Sequence, residues 1–279
     1  MKKGVITNCF KKPLRESLKL AAETGFSGVQ IYATKGEFCP DMPALEKEEI
    51  KSLLKQYGLE ISALCGDMGG HGFQIAADNP ERIRKTKRII DLAVEFGTSV
   101  ITSHIGVIPK DDTSDRYQTM LAALTECGTY AKEKGVTVAI ETGPETAEVL
   151  KGFLDKTKGG VGVNLDPANL VMVTGDDPVK AVKLLGKYIV HTHAKDGVML
   201  KRTDPGIIYE HFATGGIEAL NIADFFLETP LGEGDVDFDA YIEALRSVGF
   251  DGYLTVERET GADPEADIIN ALNVLNSFA

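Results

Sequence analysis

Cysteine is scarce: there are four in 279 residues, at positions 9, 39, 65 and 127, with no C-x-x-C pair among them. That spacing excludes a disulfide framework and a zinc ribbon. Cys9 and Cys65, near predicted strand ends, read as small buried thiols. Long hydrophobic runs are missing as well. No stretch of about 18 apolar residues exists to form a membrane helix. Residues 1–12 carry lysines on both sides of a short segment, which is not the pattern of a secretory leader. The expected location is cytoplasmic, with no membrane partner. Basic residues are in deficit, 30 against 42 acidic, for a net charge of -12. A field of that sign repels phosphate backbones and anionic lipid, so no nucleic-acid partner is expected.

What is present is a repeated strand and helix unit. Apolar or alternating runs at 4–8, 28–33, 59–65, 99–105, 136–141, 161–166, 188–197 and 252–257 read as strands. Between and after them, amphipathic segments at 13–24, 46–57, 80–96, 116–134, 147–156, 178–187, 238–248 and 264–278 read as helices, several opened by proline and closed by glycine. Eight strands alternating with eight helices predict an α/β fold of one domain over 1–279, a closed (β/α)8 TIM barrel. A chain of this length buries roughly three quarters of its unfolded surface.

Alternation along the strands sorts their side chains. In the fifth, sixth and eighth strands, Val136, Val138, Ile140, Val161, Val163, Leu165, Leu254 and Val256 form an apolar set suited to lie under helices. The opposite set is Thr137, Ala139, Glu141, Gly162, Asn164, Asp166, Thr255 and Glu257, small or polar as a narrow barrel interior demands. In the seventh strand, Y-I-V-H-T-H-A-K-D-G, the same rule puts Ile189, His191, His193 and Lys195 on one face and Val190, Thr192 and Ala194 on the other. Glu141, Asp166, His193 and Glu257 thus occupy strand ends with inward parity, one ring at the barrel mouth. Three crowded carboxylates repel unless a cation holds them, and one imidazole among oxygens suits Mn²⁺, Co²⁺, Zn²⁺ or Mg²⁺. The rival reading pairs the acids with Lys195 and Arg258 as structural ion pairs. His104, which ends the fourth strand with Thr102, together with His71 and His191, reads as outer support or substrate contact. His211 reads as a solvated loop residue.

The runs Ala139-Ile140-Glu141, Asn164-Leu165-Asp166, His191-Thr192-His193-Ala194-Lys195-Asp196, Leu231-Gly232-Glu233-Gly234-Asp235-Val236-Asp237-Phe238 and Thr255-Val256-Glu257 occur in that order. In these motifs nearly the whole chain resembles the xylose-isomerase-like barrels of sugar phosphate isomerases and epimerases. That group includes tagatose-type ketose epimerases, hydroxypyruvate isomerases, inosose dehydratases and endonuclease-IV-type enzymes. The resemblance implies that Glu141, Asp166, His193 and Glu257 bind one divalent metal, manganese foremost, and that Glu141 and Glu257 relay the substrate proton. It also implies a sugar or sugar phosphate as the small-molecule partner. Tagatose-type epimerases place a histidine where this chain has Asn169 and an arginine where it has Met199, so the sugar-holding groups differ. No D-x-H triplet of the endonuclease-IV type follows the seventh strand.

The expected chemistry is proton transfer next to a carbonyl through an enediolate, with Lys195 or Arg258 neutralising a substrate phosphate or carboxylate. The alternatives are a lyase, either an inosose-dehydratase-like enzyme or an aldolase using Lys195 as a Schiff base, and a non-catalytic sugar-binding barrel. The segment 197–234 is too long for a simple connection and carries Ile207, Ile208, Tyr209, Phe212, Phe225 and Phe226. It reads as a lid or as the contact of a homo-oligomer.

Overall fold

A strand whose outer residues are branched and apolar and whose inner residues are small or polar can bury both faces only if the sheet closes on itself under a ring of helices. The computed structural model, which describes residues 1–217 and 220–278, has that form. The barrel strands are β1 (Lys2–Ile6), β2 (Gly28–Tyr32), β3 (Glu60–Cys65), β4 (Val100–Ser103), β5 (Thr137–Glu141), β6 (Val161–Leu165), β7 (Ile189–Ala194) and β10 (Tyr253–Val256). They pair in parallel in chain order, and β1 meets β10 to close the ring. The helices between them are α1 (Leu14–Thr24), α2 (Ala44–Tyr57), α3 (Asn79–Phe96), α4 (Asp115–Glu133), α5 (Ala147–Leu154), α7 (Pro178–Leu185), α9 (Phe238–Ser247) and α10 (Pro264–Ser277). Among the described residues, no helix is long and apolar enough to cross a membrane.

The predicted outer set, from Val136 to Val256, joins the main core against the helices. The barrel axis is layered differently. Its floor is a small apolar cluster of Ala63, Val100 and Ala139 with Val190 against it. Above the floor come buried polar side chains, and above those the acidic rim.

The structure corrects three readings of the barrel. First, simple alternation fails in β7, because the register against β6 shifts between Val163 and Asn164: Val163 pairs with Ile189 but Asn164 with His191. This bulge turns Val190 into the barrel and Ile189 outward into the main core, the reverse of the expected faces, while His191 and His193 stay inward. Second, the first strand starts and ends two residues early, and residues 7–10 form a 3₁₀ turn. Pairing of Lys2 with Tyr253 and of Gly4 with Gly28 sets that register. Third, a short helix α6 (Pro167–Asn169) and a π-helical turn through Thr174 follow β6 directly. Asp166-Pro167 is the same start signal as Asp177-Pro178 and marks this helix in the sequence.

The segment after β7 forms a two-stranded hairpin, β8 (Asp196–Met199) with β9 (Phe226–Thr229), and a helix α8 (Pro205–Thr214) between them. His211 therefore lies on a helix rather than in a loop, and its Nδ1 accepts the Ile217 N–H at 3.0 Å. Ile208, with Tyr209, Phe225 and Phe226, packs on Ala168, Met172 and Val173 beside the barrel mouth, whereas Ile207 and Phe212 face solvent.

The hairpin is anchored by one carboxylate. Asp196, 1% exposed, accepts backbone N–H groups from Gly232 (2.9 Å), Gly234 (3.0 Å) and Val236 (3.1 Å). A Cβ at Gly234 would overlap Asp196 Oδ1, which is why the run L-G-E-G-D-V needs glycine there. Asp196→Ala would strand these buried donors and is expected to cost about 2–4 kcal/mol in chemical unfolding. A loss below about 0.5 kcal/mol, within the range of ordinary surface changes, would refute this anchoring role.

Candidate metal centre

Glu141 ends β5, Asp166 follows β6, His193 lies one residue from the end of β7 and Glu257 follows β10, so adjacent strands deliver their side chains to one rim. All four are buried, and their donor atoms lie within 4.8 Å of one another. His193 Nδ1 sits among the acids, 3.1 Å from Glu257 Oε2, 3.4 Å from Asp166 Oδ2 and 3.5 Å from Glu141 Oε1. Local structure aims each acid. Asp166 caps α6 with Oδ1, which accepts the N–H groups of Ala168 (2.8 Å) and Asn169 (3.0 Å), and this leaves Oδ2 for the rim. Asn169 Nδ2 and Asn164 Nδ2 each donate to Glu141 at 3.3 Å.

Burial disfavours charge on every group here, yet the acids and bases hold one another ionised. At His193, burial is outweighed by Glu257 and Glu141, which lift its pKa well above 6.5. Burial is likewise outweighed at Glu257, held well below the usual carboxylate range by Lys195 and His193, and at Glu141, held below it by His104 and His193. At Asp166 burial wins and the pKa rises. His193, His104 and a Lys195 shared between Glu257 and Glu259 only partly compensate the three carboxylates at low dielectric. Hard oxygen donors with a single nitrogen fit a divalent cation, whose arrival would displace the imidazolium proton.

The remaining predicted residues divide into three groups. His104 and Asn169 touch the centre: His104 Nε2 lies 3.5 Å from Glu141 Oε1, and its ring meets Tyr209 of α8 edge-on at 5.7 Å. Burial opposes its charge, but Glu141, Asp67 and Glu257 raise its pKa. Lys195 touches the centre from one side, with Nζ 3.1 Å from Glu257 Oε2 and 2.7 Å from Glu259 Oε2. His191 and Arg258 lie outside the four-residue centre: of the readings open to them, His191 takes that of outer support and Arg258 that of a structural ion pair, with acids other than those of the rim. His191 lies beneath the rim, 1% exposed, bonded to Asn164 Oδ1 (2.9 Å) and Thr255 Oγ1 (3.0 Å). Burial and then His193 keep it neutral. Arg258 is drawn away by Asp267 (2.8 Å) and Glu228 (2.8 Å), because Glu228 also accepts the backbone N–H groups of Glu259 and Thr260. His71 instead bridges the β3 exit loop to α8, with Nε2 3.2 Å from Glu210 Oε1. Cys9 is a packing thiol: burial and then Glu257 push it up to about 12.

The sequence of residues 18–278 matches the family model described as xylose isomerase-like TIM barrel. The chain belongs to this family. Among its relatives are an uncharacterized protein of Methanocaldococcus jannaschii, 25% identical over 94% of this chain and 85% of that one, and the inosose dehydratase of Clostridium tetani, 26% identical over 53% and 48%. Three solved structures share the fold. A probable 3-DHS dehydratase, AsbF, of Bacillus anthracis has a TM-score of 0.78 and 22% identity, covering 99% of each chain. A D-allulose 3-epimerase from Methylomonas sp. has a TM-score of 0.72 and 17% identity over 100% of this chain and 98% of that one. The IOLI protein with a binding zinc atom has a TM-score of 0.74 and 18% identity, again over 100% and 98%. Within the xylose isomerase-like family, then, the mouth that carries the four converging side chains belongs to an enzyme fold that serves both epimerases and dehydratases.

Two residues at this end escaped sequence reasoning. Gln30 in β2 had only its inward parity to mark it. Glu145, in the exit loop of β5, is buried with neither carboxylate oxygen hydrogen-bonded. Burial lifts its pKa from the ordinary 4.5 to about 8, with His104 pulling the other way. Because the folded pKa exceeds the unfolded one, both states are protonated below about pH 4.5; as pH rises towards about 8 the unfolded chain ionises first and stability falls. Glu145→Gln removes this titration. It is expected to gain roughly 1–3 kcal/mol over the native chain between acid and mildly alkaline pH, measured by urea unfolding across that range. Parallel pH profiles for the two proteins would contradict the assignment.

Proposed function

We propose that the protein is a divalent-metal-dependent isomerase or epimerase that moves a proton next to the carbonyl of a small ketose. The observation that carries this reading is the pair of glutamates, Glu141 and Glu257, which reach the same centre from β5 and β10 on either side of His193. A bound cation, with manganese the first choice, would supply Lewis-acid polarisation of the substrate carbonyl, held by Glu141, Asp166, His193 and Glu257. One glutamate takes the proton from the carbon beside the carbonyl and the other returns one. Each such step is worth about 10² to 10⁴ in rate. Lys195 keeps Glu257 ionised and ready to accept, and His104 does the same for Glu141. Tyr209, carried by α8 against His104, covers this side of the mouth and limits water access to the carbanionic intermediate.

The charges also speak to the substrate. Lys195 is committed to Glu257 and Glu259, and Arg258 to Asp267 and Glu228, so the two cations expected to receive a phosphate already have partners. A neutral polyhydroxy ketone suits the mouth better than a phosphorylated one. The same carboxylates keep Lys195 an ammonium, its pKa well above 10.5 despite burial, which disfavours a Schiff-base aldolase. A dehydratase is the second reading. The similarity to inosose dehydratase supports it, as does Glu145, a buried neutral acid of the kind that a departing hydroxide requires.

EDTA is expected to abolish turnover, and Mn²⁺ or Co²⁺ to restore it. In D₂O a free ketose should acquire deuterium at the carbon beside its carbonyl. Glu257→Gln should lower the exchange rate by about 10² to 10⁴. Loss of water from the substrate would favour the dehydratase. Exchange confined to ketose phosphates would overturn the neutral-substrate assignment, and the absence of both reactions from a broad panel would refute the catalytic reading.

A further inference from the structure

His193 presents one nitrogen to the carboxylates and the other to the barrel interior, and the interior contact decides what the first can do. Nε2 lies 3.1 Å from Gln30 Oε1, and Gln30, 1% exposed, passes its own Nε2 to Thr102 Oγ1 on β4 at 3.1 Å. An imidazole that ligates through Nδ1 must carry its proton on Nε2, and a buried N–H there needs an acceptor. The other group near Nε2 is Asn164 Nδ2, also at 3.1 Å, an amide donor that competes with Gln30 by favouring a bare Nε2 and cannot itself accept a proton held there. Nor can Asn164 be turned about. Its Oδ1 takes His191 Nδ1–H at 2.9 Å and its Nδ2 donates to Glu141 Oε2 at 3.3 Å, so reversal would set a carbonyl oxygen against a carboxylate.

We propose that Gln30 is a positioning residue: its carbonyl oxygen, with the amide nitrogen set on Thr102, holds the His193 proton on Nε2 and so leaves Nδ1 bare for a divalent cation. With the Gln30 amide reversed, an N–H would face Nε2, the proton would move to Nδ1, and the same four side chains would make a closed ion-pair cluster. The assignment rests on the metal-dependent reading above and adds to it the group on which the ligand's tautomer depends.

The test is calorimetric titration of Mn²⁺ into the native chain, Gln30→Leu, Gln30→Glu and Thr102→Val, with unfolding midpoints as a check on folding. Gln30→Leu is expected to weaken Mn²⁺ binding about 10- to 100-fold, the usual effect of losing a ligand's outer partner. Gln30→Glu, which keeps an acceptor, should stay within a few-fold of the native chain, and Thr102→Val should fall between. Nitrogen NMR of the histidines in the Zn²⁺-loaded native chain gives a readout that needs no variant to fold, and His193 should show a protonated Nε2. A leucine variant that binds Mn²⁺ as tightly as the native chain, or a protonated Nδ1, would overturn the Gln30 assignment alone. A native chain that takes up no Mn²⁺ would overturn this assignment and the metal-dependent reading together.

Discussion

Repulsion among Glu141, Asp166 and Glu257 is the constraint around which the mouth of this barrel is organised. Three carboxylates with donor atoms inside 4.8 Å and almost no solvent cannot stand unaided. The barrel relieves part of that repulsion with its own groups. His193 stands among the three, Lys195 braces Glu257, His104 and two asparagine amides brace Glu141, and the N-terminus of α6 takes one oxygen of Asp166. A divalent cation is the ligand that this donor set matches.

The layers below and beside the rim exist to keep these side chains still. Beneath lie two hydrogen-bonded chains, Thr255 to His191 to Asn164 to Glu141, and His193 to Gln30 to Thr102. Beside it, Asp196 and Glu228 gather backbone N–H groups from neighbouring loops, which fixes the β8–β9 hairpin and draws Arg258 out of the site. Lys195 and Asp196, adjacent in sequence, thus do different work. The lysine serves the centre and the aspartate anchors the hairpin beside it.

Strand order, barrel closure and the four converging side chains were legible in the sequence because two-residue periodicity carries them. The inner series Thr137-Ala139-Glu141 and Gly162-Asn164-Asp166 differ from their outer neighbours in size or in polarity at every step. What periodicity cannot show is a bulge, which changes parity without changing composition, and so Ile189 and Val190 exchanged faces. Nor does it show which of two nearby charges a basic residue chooses. Arg258 adjoins Glu257 in the chain, yet Glu228, thirty residues earlier, claims it through the fold. Gln30 and Glu145 were passed over because a single amide or carboxylate in a strand or exit loop acquires meaning only from its spatial neighbours.

The claim on which the account rests is that these four side chains hold one cation. Crystals grown with MnCl₂, with diffraction recorded on both sides of the manganese absorption edge, test it most directly. The account predicts a single anomalous peak bounded by Glu141, Asp166, His193 Nδ1 and Glu257. An empty rim at saturating manganese, with His193 still bonded to the carboxylates, would contradict it.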